Sequence, residues 1–387
     1  MKKNFIHTLL WVLLLLPVLS LAQHVTEYRP AGALLTSSVV NLESMRGTRP
    51  GDPAIGFTRS VNTLQEFAGA VNNDIWFLTT NAGGVVANSF RYGIAGANDR
   101  ASAIEICPNG DYIVLGITTI GGFDRILAFR IPVAGGAPFW AITYFTPNTH
   151  TRGYCIKRTN DPIESYMIAG TNSLAGGASP DKTLIALKIN GGGGMLWNSS
   201  YFSPVVPNNI FDQPRSMVVV GNTHFIAGNR SNGNTKDIFT IGIGQAAGAI
   251  GPQYNYIDNG GRADINPYIN VSNAGGFVLA YNTIANIGGV NTGRVAVTPL
   301  NAALGVAGNT GLYWENNTTD NYGHTIHPLA GGGGYAVGGG VTAAGLQNPI
   351  YFELTNAGAV VGGSYGRFWV NQGFISTFML NDPLVAA

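Results

Sequence analysis

Charge is scarce in this chain. Asp, Glu, Lys and Arg make up 11% of its 387 residues, less than half the roughly 25% of an ordinary soluble protein. The formal net charge is +1 and no basic run stands out, so the electrostatic footprint of a nucleic-acid binder is missing. Cysteine is scarcer still. Cys107 and Cys155 allow at most one disulfide. They sit at different heights in neighbouring repeats: Cys107 follows Arg100 by seven residues, Cys155 follows Arg152 by three. A four-residue offset along parallel strands is roughly 13 Å, too far for a bridge, and two buried free thiols are expected. Histidine is sparse and scattered. His324 and His327 are three apart and point to opposite faces of a strand, while His150 and His224 are isolated. No loop ends in Gly-Lys-Ser/Thr. No metal site and no cofactor are expected.

Long apolar runs are absent after the first 22 residues, as is any sustained helical spacing. The N-terminus itself reads as a secretory signal. Lys2 and Lys3 are followed by an apolar core over 9–19 and a small-x-small site at Ser20-Leu21-Ala22. No later stretch approaches the roughly 20 apolar residues of a spanning helix. The expectation is an exported chain (secreted, cell-surface or periplasmic) with no transmembrane segment in its mature part. It divides into a signal peptide 1–22, an N-terminal segment 23–50, a repeat region 51–370 and a closing segment 371–387.

What the chain has in quantity is glycine, 54 residues, beside 45% hydrophobic and 10% aromatic residues. That apolar content is enough to offset the ordering entropy a disordered chain cannot meet. The glycines punctuate a repeat. Each copy has an apolar run ending near Gly, an Asp or Asn opening a second run, a turn, and a run closing on tyrosine. The closing tyrosines are Tyr92, Tyr144, Tyr201, Tyr256, Tyr313 and Tyr365, spaced by about 55 residues, the size of a propeller blade.

The second strand of the unit is the clearest, as in Tyr112-Ile113-Val114-Leu115-Gly116 and Tyr166-Met167-Ile168-Ala169-Gly170. It is apolar on both faces, as a strand sandwiched between two sheets should be. In the first repeat the corresponding run is Glu66-Phe67-Ala68-Gly69. The third strand opens at Asp74, Asp124, Asp181, Asp237, Thr292 and Asn348. The fourth is aromatic: Trp140 and Tyr144, like Trp197 and Tyr201, are four apart and share a face. First strands are less regular. The prediction is an all-β single domain, a β-propeller of six four-stranded blades. The segments 37–42 and 373–380 are candidate strands to close the ring or add a seventh.

The runs Asn109-Gly110-Asp111-Tyr112-Ile113-Val114-Leu115-Gly116 and Met195-Leu196-Trp197-Asn198-Ser199-Ser200-Tyr201 resemble secreted bacterial β-propeller repeat proteins of the kelch-like and delta-60-like kind. Tyr335-Ala336-Val337-Gly338-Gly339 is similar to a kelch repeat, although most copies lack the double glycine. The resemblance is diffuse, covers most of the mature chain, and implies a fold rather than a reaction.

Five arginines, Arg59, Arg100, Arg152, Arg215 and Arg262, stand just before the expected first strands. The connections entering first and third strands share one face of a propeller, which puts these arginines on one rim with Asp74, Asp124, Asp181 and Asp237. Two roles fit: each Arg pairs with a nearby Asp or with backbone carbonyls between blades, or the set forms an anion-attracting ring at the channel mouth. The aspartates, on strands away from the axis, stand about 10 Å or more apart from blade to blade, too far to share a hard cation; Asn232-Gly233-Asn234 offers at most a local calcium turn. Gly362-Gly363-Ser364-Tyr365-Gly366 matches a nucleophile elbow by chance, since strand rather than helix follows. Glu105 is the carboxylate placed nearest the channel, where a solvated position is expected, and carboxylates from different blades can converge there.

With no convergent catalytic set, the expected function is a non-enzymatic scaffold at the envelope or outside the cell. Its partner is a protein or a surface glycan. The alternatives are a propeller hydrolase or lyase acting on polysaccharide, and a structural subunit of an envelope or fibre assembly.

Overall fold

In the computed structural model the described residues are 40–46, 58–67, 70–80, 86–174, 182–201, 210–232, 235–246, 250–257, 264–287, 290–313, 320–329, 332–343, 346–361 and 366–367. The signal-like leader, Asp181, Arg262, Tyr365 and the closing segment lie outside them. The described residues form six four-stranded antiparallel sheets, each a simple meander. Sheet 1 is β1 (Val40–Arg46), β2 (Thr58–Phe67), β3 (Ala70–Thr80) and β4 (Val86–Tyr92). Sheet 2 is β5 (Asn98–Ile106), β6 (Tyr112–Ile120), β7 (Phe123–Ile131) and β8 (Trp140–Tyr144). Sheet 3 is β9 (Thr149–Arg158), β10 (Ser165–Leu174), β11 (Lys182–Asn190) and β12 (Met195–Tyr201). Sheet 4 is β13 (Ile210–Val220), β14 (Thr223–Asn232), β15 (Thr235–Gly244) and β16 (Ile250–Ile257). Sheet 5 is β17 (Ile265–Val271), β18 (Phe277–Ile287), β19 (Val290–Leu300) and β20 (Gly311–Tyr313). Sheet 6 is β21 (Asp320–Pro328), β22 (Tyr335–Ala343), β23 (Leu346–Leu354) and β24 (Gly366–Arg367).

The first strands touch in series, β1 with β5, β5 with β9, β9 with β13, β13 with β17 and β17 with β21. They are the innermost strands of a β-propeller. Its core lies between sheets, which is why the second strands are apolar on both faces. Val114 packs with Ile75 and Phe77 of sheet 1, while Ile113 and Leu115 pack with Ile168 and Leu187 of sheet 3. Comparable layers join sheet 3 to 4, 4 to 5 and 5 to 6.

Two repeated devices explain the repeated residues. In the first, every innermost strand carries a bulge or irregularity. A bulge breaks the period of two and bends the strand, which is why the first strands are the irregular ones in the sequence. In sheets 2, 3 and 4 the bend drives a carbonyl onto the glycine ending the second-strand run. A Cβ on Gly116, Gly170 or Gly228 would meet the carbonyl oxygen of Arg100 at 2.6 Å, of Arg152 at 2.1 Å or of Gln213 at 2.5 Å. Glycine is there for close approach.

The second device uses the closing tyrosines. Tyr92, Tyr144 and Tyr313 each donate across to the following sheet, to the carbonyls of Gly136, Gly193 and Gly358 at 2.8, 2.5 and 2.5 Å. All three acceptors have positive φ, the conformation their hairpin turns require and glycine supplies most readily.

The structure corrects the strand placement at the start of the array. The innermost strand of sheet 1 is β1, from within segment 23–50, and Glu66-Phe67 closes β2. Asp74 lies inside β3 rather than at its head.

Candidate functional site

The connections from each second strand to its third, and from each sheet to the next, lie on one face, here called the rim. The hairpin turns lie on the other. Of the five arginines, Arg262 is outside the described residues and Arg59 sits in β2, opposite Met45 and Leu78; it is not at the repeat position. Arg100 and Arg152 are equivalent. Each lies inside its first strand and faces the residue after the key glycine, Ile117 and Thr171. Arg215 is the bulged residue between Pro214 and Ser216, and Gln213 takes its equivalent place. Among the described residues, two of the expected ring positions, Arg100 and Arg152, are matched, at the seam of sheets 2 and 3.

That pair converges on Asp124, the second residue of β7. Arg152 Nε donates to Oδ2 at 2.6 Å and Thr119 Oγ1 to Oδ1 at 2.7 Å; Arg100 Nη2 stands 3.7 Å from Oδ2. His150 Nδ1 accepts the Asp124 amide at 3.2 Å. Burial pushes the Asp124 carboxyl up, but the bonds from Thr119 and Arg152 and the charges of Arg152 and Arg100 outweigh it and hold it below the usual carboxylate range.

At the seam of sheets 1 and 2 the balance reverses. Asp99 is wholly buried and accepts the Ile94 amide on Oδ2 at 2.6 Å. Its carboxyl is raised above the ordinary range, chiefly by burial and slightly by the charge of Asp74, against the bond from the Ile94 amide. Asp74 is paired with Arg91. The missing Cβ of Gly93 would lie 2.3 Å from Asp74 Oδ1 and 2.8 Å from Asp99 Oδ2. Asp74 Oδ1 and Asp99 Oδ2 therefore lie no more than about 5 Å apart, close enough for two carboxyls to act on one bond. Sequence reading placed Asp74 on the rim and missed Asp99, because their closeness depends on how two sheets meet.

The same part of the rim carries an aromatic platform. The Arg125 guanidinium lies 4.1 Å from the centre of the Phe145 ring, and Phe145 is 48% exposed. Phe123 and His150 pack nearby with their rings tilted, centres 5.8 Å apart.

The opposite face is structural. Arg130 binds Asp111 at 3.1 Å and Glu164 at 3.0 Å, and with Trp140 Nε1 it donates to the Gly191 carbonyl. One sheet further on, Lys188 and Trp197 Nε1 donate in the same way to the Gln245 carbonyl. Each cation is the cross-strand partner of its Trp, a coupling hidden behind the Trp-to-Tyr spacing in the sequence. Glu105 is not solvated: it is 1% exposed and stands 3.5 Å from Lys157 Nζ. Cys107 and Cys155 are free and buried, and burial pushes both thiols up to about 12, which makes them unreactive. No group of three metal-ligating side chains occurs among the described residues. The Asn232-Gly233-Asn234 turn and the Gly362–Gly366 pattern fall largely outside them. No helix among the described residues is long and apolar enough to cross a membrane.

No family model matches the chain, and no curated protein matches it. Among solved structures, a protein of unknown function from Dyadobacter fermentans is similar at TM-score 0.49 and 9% identity, covering 83% of this chain and 93% of its own. An α-L-arabinanase of Penicillium chrysogenum complexed with arabinobiose is similar at TM-score 0.47 and 12% identity, covering 77% and 88%. Sqt1 of Chaetomium thermophilum is similar at TM-score 0.42 and 11% identity, covering 86% of each. Likenesses this distant carry no argument about function.

Proposed function

We propose that this chain is an exported propeller that recognises a polysaccharide through the rim shared by sheets 1 to 3. The observation that supports it is the half-exposed Phe145 ring with the Arg125 guanidinium over it, one residue from the Asp124 cluster. A pyranose has an apolar C–H face and a rim of hydroxyls. An aromatic surface meets the first and fixed charged donors and acceptors meet the second. In this reading Arg152 holds Asp124 in place.

A second reading, in which the same rim hydrolyses the bound polymer, is favoured by the Asp74–Asp99 spacing. Two close carboxyls, one of them raised by burial, are the groups that an acid and a nucleophile require. The complete burial of Asp99 keeps this reading second, because a general acid must reach the glycosidic oxygen.

Affinity electrophoresis of the mature chain through gels holding neutral or acidic polysaccharides tests the first reading. Retardation by at least one polymer, lost in Phe145→Ala, is expected; migration unaffected by every polymer would overturn it. Release of reducing ends, abolished in Asp99→Asn with polymer binding intact, would move the assignment to hydrolysis.

A further inference from the structure

We infer that the polysaccharide is a polyuronate, and that Arg125 meets its carboxylate while Phe145 carries the sugar ring. This rests on the polysaccharide reading above. Other arginines of this part of the rim are engaged by carboxylates. Arg91 is paired with Asp74, and Arg152 and Arg100 with Asp124. Arg125 contacts the Phe145 ring and has no carboxylate or carbonyl partner among the described residues, and its Nε is buried without an acceptor. An unsatisfied buried donor costs free energy that an incoming acceptor recovers, and more so when the donor is charged.

The surroundings leave that charge uncompensated. Along β7, Ile126 packs toward sheet 3 and Leu127 toward sheet 1, so alternation puts Arg125 on the sheet 1 side, away from Asp124. On that side the ladder runs Asp99, Thr118, Arg125, and the Asp99 carboxyl is turned to the Ile94 amide. Its other oxygen, Oδ1, is buried without a hydrogen-bond partner, and neither oxygen is bonded to Arg125. A guanidinium fork backed by an aromatic ring matches a planar carboxylate two hydrogen bonds at a time, and a uronate places that carboxylate on a sugar ring of the size Phe145 can stack.

The matched probes are polygalacturonate and its fully methyl-esterified form, which keeps the sugar and removes the charge, with dextran sulfate as a polymer of nonplanar anions. Wild-type protein is expected to bind polygalacturonate at least tenfold more tightly than the ester and than dextran sulfate. Arg125→Gln is expected to lose that preference, and Arg125→Lys to keep part of it, with both variants melting like the wild type. Equal binding of acid and ester, equally tight binding of dextran sulfate, or an unchanged preference in a folded Arg125→Gln protein would overturn the inference and leave polysaccharide recognition standing. Absence of binding to any polymer would overturn both.

Discussion

His224 shows how a single buried group sets the response to acid. It occupies the β14 position that Tyr112 and Tyr166 hold in β6 and β10, and it is fully buried. Burial, and then the charge of Lys188, push its imidazole down from 6.5 to about 4, against the pull of Asp161, the Arg158 backbone and Glu105. A histidine lowered in the folded state stabilises the protein above its ordinary value, and that contribution is lost as pH falls from about 6.5 toward 4. The size is about 3 kcal/mol. Asp124, also held low, acts in the same direction. Urea unfolding across this range should show stability falling on the acid side, with a shallower fall in His224→Tyr. An acid limb unchanged by that substitution would contradict the assignment. Sequence reading saw His224 only as isolated. Its effect comes from sheet packing that buries it beside Lys188 and so cannot be read from its neighbours in the chain.

Strands were legible to the degree that their side chains keep a simple period. The apolar runs of the second strands in sheets 2 to 6, and the fourth strands of sheets 2 and 3 with Trp and Tyr four apart, are where the sequence places them. The first strands blur because each is bulged. In sheet 1 the Glu66-Phe67-Ala68-Gly69 run imitates a second strand while marking the end of one, which displaces Arg59 from the rim. The bulge gives the element-scale prediction. In β10, Gly170→Ala would set a Cβ 2.1 Å from the Arg152 carbonyl oxygen, a backbone atom fixed between two strands. We expect a loss of about 3 kcal/mol, read as a lower denaturation midpoint. The same exchange at Gly153, whose Cβ would meet only side-chain atoms at 3.1 Å and beyond, should cost clearly less. Equal effects would mean the bulge does not dictate the glycine.

At the scale of the molecule, stacking of two-faced sheets was legible from composition and repeat length, because a sheet apolar on both sides must be covered on both. The site was only half legible. Arg100, Arg152 and Asp124 could be placed from the repeat and Arg59 could not, while pairs such as Asp74 with Asp99 and Arg125 with Phe145 are made by geometry between or across strands. The two faces that result have different work. On the turn face, Arg130, Lys188, Trp140 and Trp197 are committed to carbonyls of the next sheet. On the rim, charge and an aromatic ring remain at the surface.

Hydrogen–deuterium exchange of the intact mature chain, with and without saturating polygalacturonate, asks directly which face meets the ligand. Slower exchange confined to peptides covering 118–126 and 144–152 is predicted, with the turns at 107–111 and 190–194 unaffected. Protection at those turns, or nowhere, would contradict the rim as the binding face.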